Sequence, residues 1–129
     1  MEKILIIDDD PDIVEGMKVV LESKNYQIDT AKNGQEGLEK VKLNKPDLII
    51  LDIMMETADR GFEVARDLKK DANYKNIPIL MLTAIKDRTG LDFKHEAGDE
   101  DWLPVDDYVD KPLKAEELIS KVKRLLGKR

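Results

Sequence analysis

Leu48-Ile49-Ile50-Leu51-Asp52 decides the fold of this 129-residue chain. Four consecutive apolar residues leave no polar face, so the segment reads as a strand covered on both sides, as strands of a parallel sheet are. Pro46 marks the break before it, and Asp52 ends it with a carboxylate. Working outward, the same pattern returns. Ile4 to Ile7 is apolar on both faces and runs into Asp8-Asp9-Asp10-Pro11. Ile79 to Leu82 follows Pro78 and stops at Thr83, Tyr26 to Ala31 forms a weaker strand, and Asp107 to Asp110 forms a short one that leads into Lys111-Pro112.

The intervening segments carry helical periodicity. Asp10 is placed to cap a helix whose first turn holds Pro11, and Ile13, Val14, Met17, Val20 and Leu21 make one apolar stripe along it. A second helix is expected from Gly34 to Leu43, with Leu38 and Val41 inward, and a third from Phe62 to Lys70, with Phe62, Ala65 and Leu68 inward. The last runs from Ala115 to Leu126, where Leu118, Ile119, Val122, Leu125 and Leu126 repeat the stripe. A helix at Thr89 to His95 competes with an extended loop, because Gly98, Asp99-Glu100-Asp101 and Pro104 follow. Alternating β and α elements predict an α/β fold with a doubly wound, five-stranded parallel sheet, flavodoxin-like, of strand order 2-1-3-4-5. Residues 1–129 are expected to form one domain with no output domain.

Composition narrows the function. With 22 Lys and Arg against 28 Asp and Glu, the net charge is −6, which repels phosphate backbones, so nucleic acid is not expected as a partner. The absence of cysteine excludes disulfide frameworks, Cys-ligated zinc, iron–sulfur clusters and thiol catalysis. No apolar run approaches the roughly 20 residues of a membrane span. Met1-Glu2-Lys3 leads directly into the first strand without a signal segment. A cytoplasmic protein with no membrane partner is therefore expected.

In an open parallel sheet, chemistry sits beyond the carboxyl ends of the strands. Those ends carry Asp8, Asp9 and Asp10, then Asp52, Thr83 and Lys111. Carboxylates gathered at one edge repel one another unless a cation neutralises them. Oxygen donors without His or Cys suit a hard divalent ion, Mg²⁺. Beside such an ion Asp52 becomes a candidate nucleophile toward phosphorus. The Thr83 hydroxyl and the Lys111 ammonium would meet the charge spread over the phosphoryl oxygens. Taken singly, a strand-ending aspartate or a solvated lysine is ordinary; their convergence on successive strands is not.

Four segments resemble the signature segments of the response-regulator receiver domains of two-component signalling. They are Ile4-Leu5-Ile6-Ile7-Asp8-Asp9-Asp10-Pro11, Pro46-Asp47-Leu48-Ile49-Ile50-Leu51-Asp52-Ile53-Met54-Met55, Leu82-Thr83-Ala84 and Tyr108-Val109-Asp110-Lys111-Pro112. The likeness runs over essentially the whole chain. It implies Asp52 as phosphoacceptor and Asp8 and Asp9 as the acidic pair that holds Mg²⁺, with Asp52 and the backbone carbonyl of Met54 as further ligands. It implies Thr83 as switch hydroxyl, Tyr108 as switch aromatic, and Lys111 as the phosphate-binding lysine before a cis bond to Pro112. The function it implies is that of a stand-alone receiver that accepts a phosphoryl group from a histidine kinase or phosphotransfer protein. Such a receiver signals to an unidentified downstream protein through the face formed by the helix after the fourth strand, the fifth strand and the last helix. Homodimer formation on phosphorylation is left open. Catalysis would extend no further than its own phosphorylation and dephosphorylation.

Two departures from the family pattern stand out. Glu56-Thr57-Ala58-Asp59-Arg60-Gly61 is longer than the usual turn and lacks its proline, and the span from Thr83 to Lys111 is long, with the excess around Ala97 to Val105. Trp102 in that excess reads as an anchor for the loop, and His95 as a solvated residue. Met54 and Ile85, each two residues beyond Asp52 and Thr83, are apolar and poor at positioning a hydrolytic water, which predicts a long-lived phosphoryl state. An interaction module that works without phosphate is the alternative. A metal-dependent phosphatase would want a second acid where Met54 stands, and an EF-hand would want alternating ligands and a loop glycine that Asp8-Asp9-Asp10 lacks.

Overall fold

Five parallel strands, β1 (Lys3–Ile7), β2 (Gln27–Ala31), β3 (Leu48–Asp52), β4 (Ile79–Thr83) and β5 (Asp107–Asp110), lie in the order β2-β1-β3-β4-β5. Among the described residues, helices α1 (Pro11–Glu22), α2 (Gly34–Leu43) and α3 (Ala58–Lys70) alternate with the first four strands, and α4 (Ala115–Gly127) follows β5. This arrangement comes from a computed structural model that describes residues 2–52, 58–83, 106–110 and 114–127. The sheet and its order are those expected from the sequence.

Side-chain alternation explains why the central strands are apolar throughout. Leu5, Ile7, Ile49, Leu51, Ile79 and Met81 pack on one face with Val41 of α2 and with Val64, Ala65 and Leu68 of α3. Ile4, Ile6, Leu48, Ile50, Leu80, Leu82 and Val109 pack on the other with Met17 and Leu21 of α1 and with Leu118, Val122, Leu125 and Leu126 of α4. Met17, Leu21, Val41, Ala65, Leu68, Leu118, Val122, Leu125 and Leu126 all belong to the stripes read from the sequence. β2 is an edge strand, and its residues alternate between exposed and covered. Lys40 of α2 reaches across it to Asp29 at 3.1 Å and to the Thr30 carbonyl.

Local chemistry sets the element ends. The Asp10 carboxylate accepts the Asp12 and Ile13 backbone N–H groups at 3.0 and 3.3 Å, capping α1 ahead of Pro11. The Asn33 side chain caps α2 by accepting the Glu36 N–H at 2.8 Å. Asn25 makes the turn from α1 to β2 with a φ of 70°, in the left-handed region that asparagine tolerates. α3 begins at Ala58, earlier than the expected Phe62. Gly61 reads as part of a turn, but one glycine costs a helix only about 1 kcal/mol, less than the burial of Val64, Ala65 and Leu68 returns.

Acidic side chains fasten the amino ends of the strands. The Asp47 carboxylate accepts the Lys3 backbone N–H at 2.8 Å, registering β3 on β1. Asp106 accepts the Ile79 N–H and the Lys69 ammonium, both at 2.8 Å. Asp107 pairs with Lys121 at 3.3 Å and with Arg124. Asp106 and Asp107 follow directly on the long span between Thr83 and Lys111 that departs from the family pattern around Ala97 to Val105. They tie the start of β5 to α3 on one face and to α4 on the other. Among the described residues, no helix is long and apolar enough to cross a membrane. Thr89 to His95, where a helix competes with an extended loop, the excess around Ala97 to Val105 with Trp102, and Glu56 and Thr57 of the loop after Met55 lie outside the described residues.

Candidate functional site

The alternation that builds the core also assembles the site. Ile4 and Ile6 of β1 and Leu48 and Ile50 of β3 face α1 and α4, and the next side chains of the same parity are Asp8 and Asp52. Register pairs Ile7 with Leu51, so one further step sets Asp8 beside Asp52. The Asp8 N–H still donates to the Ala31 carbonyl at 3.0 Å, which keeps the chain extended to that point. Two strands packed as core therefore end in adjacent carboxylates.

Oxygen atoms of Asp8, Asp9 and Asp52 all lie within 4.8 Å of one another. Asp8 and Asp52 are each only 2% exposed, whereas Asp9 is open to solvent. The Asp10 N–H donates to Asp8 Oδ1 at 2.9 Å and orients that carboxylate. The three consecutive aspartates thus divide their work: Asp8 and Asp9 join the cluster, and Asp10 caps α1. At 4.8 Å and an effective dielectric constant near 20, one pair of unit negative charges repels by about 3.5 kcal/mol. A cation with hard oxygen preference removes that cost, and the all-carboxylate donor set fits Mg²⁺.

Thr83 ends β4 opposite Asp110, one register step beyond Leu82, which is paired with Asp52. Tyr108 stands in β5 opposite Met81. For Thr83 and Tyr108 the description stops at the backbone. Lys111 and Met54 lie outside the described residues. The structure therefore brings Asp8, Asp9 and Asp52 together and sets Thr83 on the strand next to Asp52.

A groove of about 250 Å³ opens between α2 and the starts of β1 and β2, lined by Lys3, Gln27, Asp29, Lys40, Asn44 and Pro46 among others. Its polar groups bond to one another, with Lys3 Nζ donating to Asn44 Oδ1 at 2.7 Å and Lys40 paired with Asp29. It lies toward the opposite edge of the sheet from the carboxylates.

A flavodoxin-like sheet with three carboxylates gathered beyond β1 and β3 defines a class, and the chain belongs to it: residues 4–123 match the family described as response regulator receiver domain. Among its relatives is the alkaline phosphatase synthesis transcriptional regulatory protein PhoP of Bacillus subtilis, 41% identical over 125 residues, covering 97% of this chain and 48% of PhoP. Another is the DNA-binding dual master transcriptional regulator RpaA of Synechocystis sp., 38% identical over 126 residues, covering 98% of this chain and 49% of RpaA. The high-resolution structure of the chemotaxis response regulator CheY4 of Vibrio cholerae superposes with a TM-score of 0.82 at 30% identity, covering 97% of this chain and 98% of that one.

The chain spans about half the length of PhoP and RpaA. These relatives overturn the expectation that nucleic acid is not a partner, since RpaA, alike over nearly the whole of this chain, is named as DNA-binding. That expectation rested on a net charge of −6, which is a sum over these 129 residues. Such a sum does not describe contacts made by other parts of a protein that contains such a domain.

Proposed function

We propose that this chain is a phosphorelay receiver in which Asp52 accepts a phosphoryl group from the phosphohistidine of a histidine kinase or phosphotransfer protein. The meeting of Asp8, Asp9 and Asp52 at the carboxyl edge of the sheet carries this reading. A carboxylate oxygen of Asp52 forms a P–O bond as the donor's P–N bond breaks, and the departing imidazole nitrogen takes up a proton. Asp8, Asp9, Asp52 and the Met54 backbone carbonyl would hold Mg²⁺. The ion supplies positive charge to the carboxylates and the phosphoryl oxygens when bound. Lys111 and the Thr83 hydroxyl meet the remaining phosphoryl oxygens, and Tyr108 follows Thr83 as the surface changes.

We place the reaction in the cytoplasm, where ATP charges the kinase. The names of PhoP and RpaA support transcriptional control as the class of output. The test uses phosphoramidate, a small donor with the same P–N bond. Incorporation of phosphoryl groups that requires MgCl₂ and stops when EDTA is added supports the reading. Incorporation indifferent to Mg²⁺ contradicts it.

A further inference from the structure

Gly37 is buried in α2, and a side chain there would require the Ile7 side chain to shift. A Cβ there would meet Ile7 Cδ1 at 2.5 Å, Cγ1 at 2.9 Å and Cγ2 at 3.3 Å. Glycine is a poor residue for a helix interior, and Gly16 of α1 shows that not every helical glycine here serves packing, since a Cβ at Gly16 meets nothing within 4 Å. The contact at Gly37 differs because of what Ile7 is: fully buried, the last residue of β1, and the residue immediately before Asp8.

Two more links close a ring around that point. The Asp8 N–H donates to the Ala31 carbonyl at 3.0 Å. Two residues later Asn33 caps α2, with its side chain accepting the Glu36 N–H at 2.8 Å and its carbonyl accepting the Gly37 N–H at 3.0 Å. The first turn of α2 is thereby fixed to the chain that fixes Asp8, and the Gly37–Ile7 contact sets how closely helix and strand approach. Buried packing of this kind passes a displacement on instead of absorbing it.

We infer that Gly37 is a positioning residue for the acidic cluster: the missing side chain lets α2 seat against Ile7, and this seating sets where Asp8 meets Asp9 and Asp52. The inference rests on the reading that the cluster binds Mg²⁺. Replacing Gly37 by Ala forces Ile7 aside and carries Asp8 with it. Replacing Ile7 by Val removes Cδ1, the nearest of the three atoms, and so relieves the closest contact that an alanine at position 37 would make.

The experiment measures Mg²⁺ affinity by titration calorimetry with MgCl₂ on the folded proteins. Gly37→Ala is expected to weaken binding about threefold or more and Ile7→Val about twofold, while the double variant Ile7→Val/Gly37→Ala returns near the parent value. Gly16→Ala makes the same change of helix propensity without the contact and is expected to leave affinity unchanged. A residue that served stability alone would shift melting temperature and leave affinity where it was. Parent-like affinity in Gly37→Ala overturns the inference, as does a double variant no tighter than Ile7→Val. The latter comparison decides the matter if Gly37→Ala fails to fold. Absence of Mg²⁺ binding by the parent protein overturns the metal reading and this inference with it.

Discussion

Neutralising Asp8 is expected to make the metal-free protein more stable. Asp8 and Asp52 are each 2% exposed, and their oxygens lie within 4.8 Å. At an effective dielectric constant of 20 their repulsion is about 3.5 kcal/mol, and Asp9, being exposed, adds less. Asp8→Asn keeps an oxygen to accept the Asp10 N–H but loses the strength of a charged acceptor, a loss of about 1 kcal/mol, with further loss from imperfect repacking. The balance is a gain of about 1–2 kcal/mol, or a rise in Tm of roughly 3–8 °C for a chain of this size.

Mg²⁺ narrows the difference. At about ten times its dissociation constant, an ion that binds only the folded state adds about 1.4 kcal/mol to the parent protein, and the Asn variant, with a weaker site, gains less. The assay is thermal unfolding followed by circular dichroism, with MgCl₂ and with EDTA. The variant should melt higher than the parent in EDTA and lose most of that advantage in MgCl₂. An Asp8→Asn protein that melts below the parent in EDTA, or one that responds to Mg²⁺ as the parent does, would refute the electrostatic reasoning.

Two other outcomes follow from individual contacts, and a third from the residues two positions beyond Asp52 and Thr83. Asp106→Ala removes the acceptor of the buried Ile79 N–H and of the Lys69 ammonium, so it should lower stability by about 1–3 kcal/mol, with Asp106→Asn costing less. Urea unfolding checks this as a shifted midpoint at unchanged slope. Asp10→Ala strips the cap from α1 and should cost about 1 kcal/mol in the same assay; a loss below a few tenths would mean the cap adds little. The phosphorylated protein should hold its phosphoryl group for minutes or longer, because Met54 and Ile85 are apolar, and a half-life of seconds by time-resolved mass spectrometry would contradict that.

The sequence disclosed the parts of the fold that follow from local pattern. The apolar runs at Ile4–Ile7, Leu48–Leu51 and Ile79–Leu82 became β1, β3 and β4 because a strand covered on both faces has no position for a polar side chain. The same logic exposed Asp8 and Asp52, since carboxylates that end such strands stand where the core stops. What lay hidden depended on partners distant in the chain. Asp106 meets Ile79, 27 residues away, and Asp107 meets Lys121, 14 residues away, and no periodicity announces either contact. Gly37 was silent because an absent side chain leaves no pattern, and its meaning lies in Ile7 across the α2–β1 contact. The start of α3 was misplaced because Gly61 suggested a turn where packing of the following residues prevails. The expectation about nucleic acid failed for another reason: a net charge is a sum over these 129 residues and does not describe contacts made by other parts of a protein.

The most direct test of the central claim is the intact mass of the protein after incubation with acetyl phosphate and MgCl₂. The account predicts the addition of a single phosphoryl group in the parent protein and none in Asp52→Asn. A parent protein that gains no phosphoryl group, or an Asp52→Asn protein that gains one as readily, would contradict it.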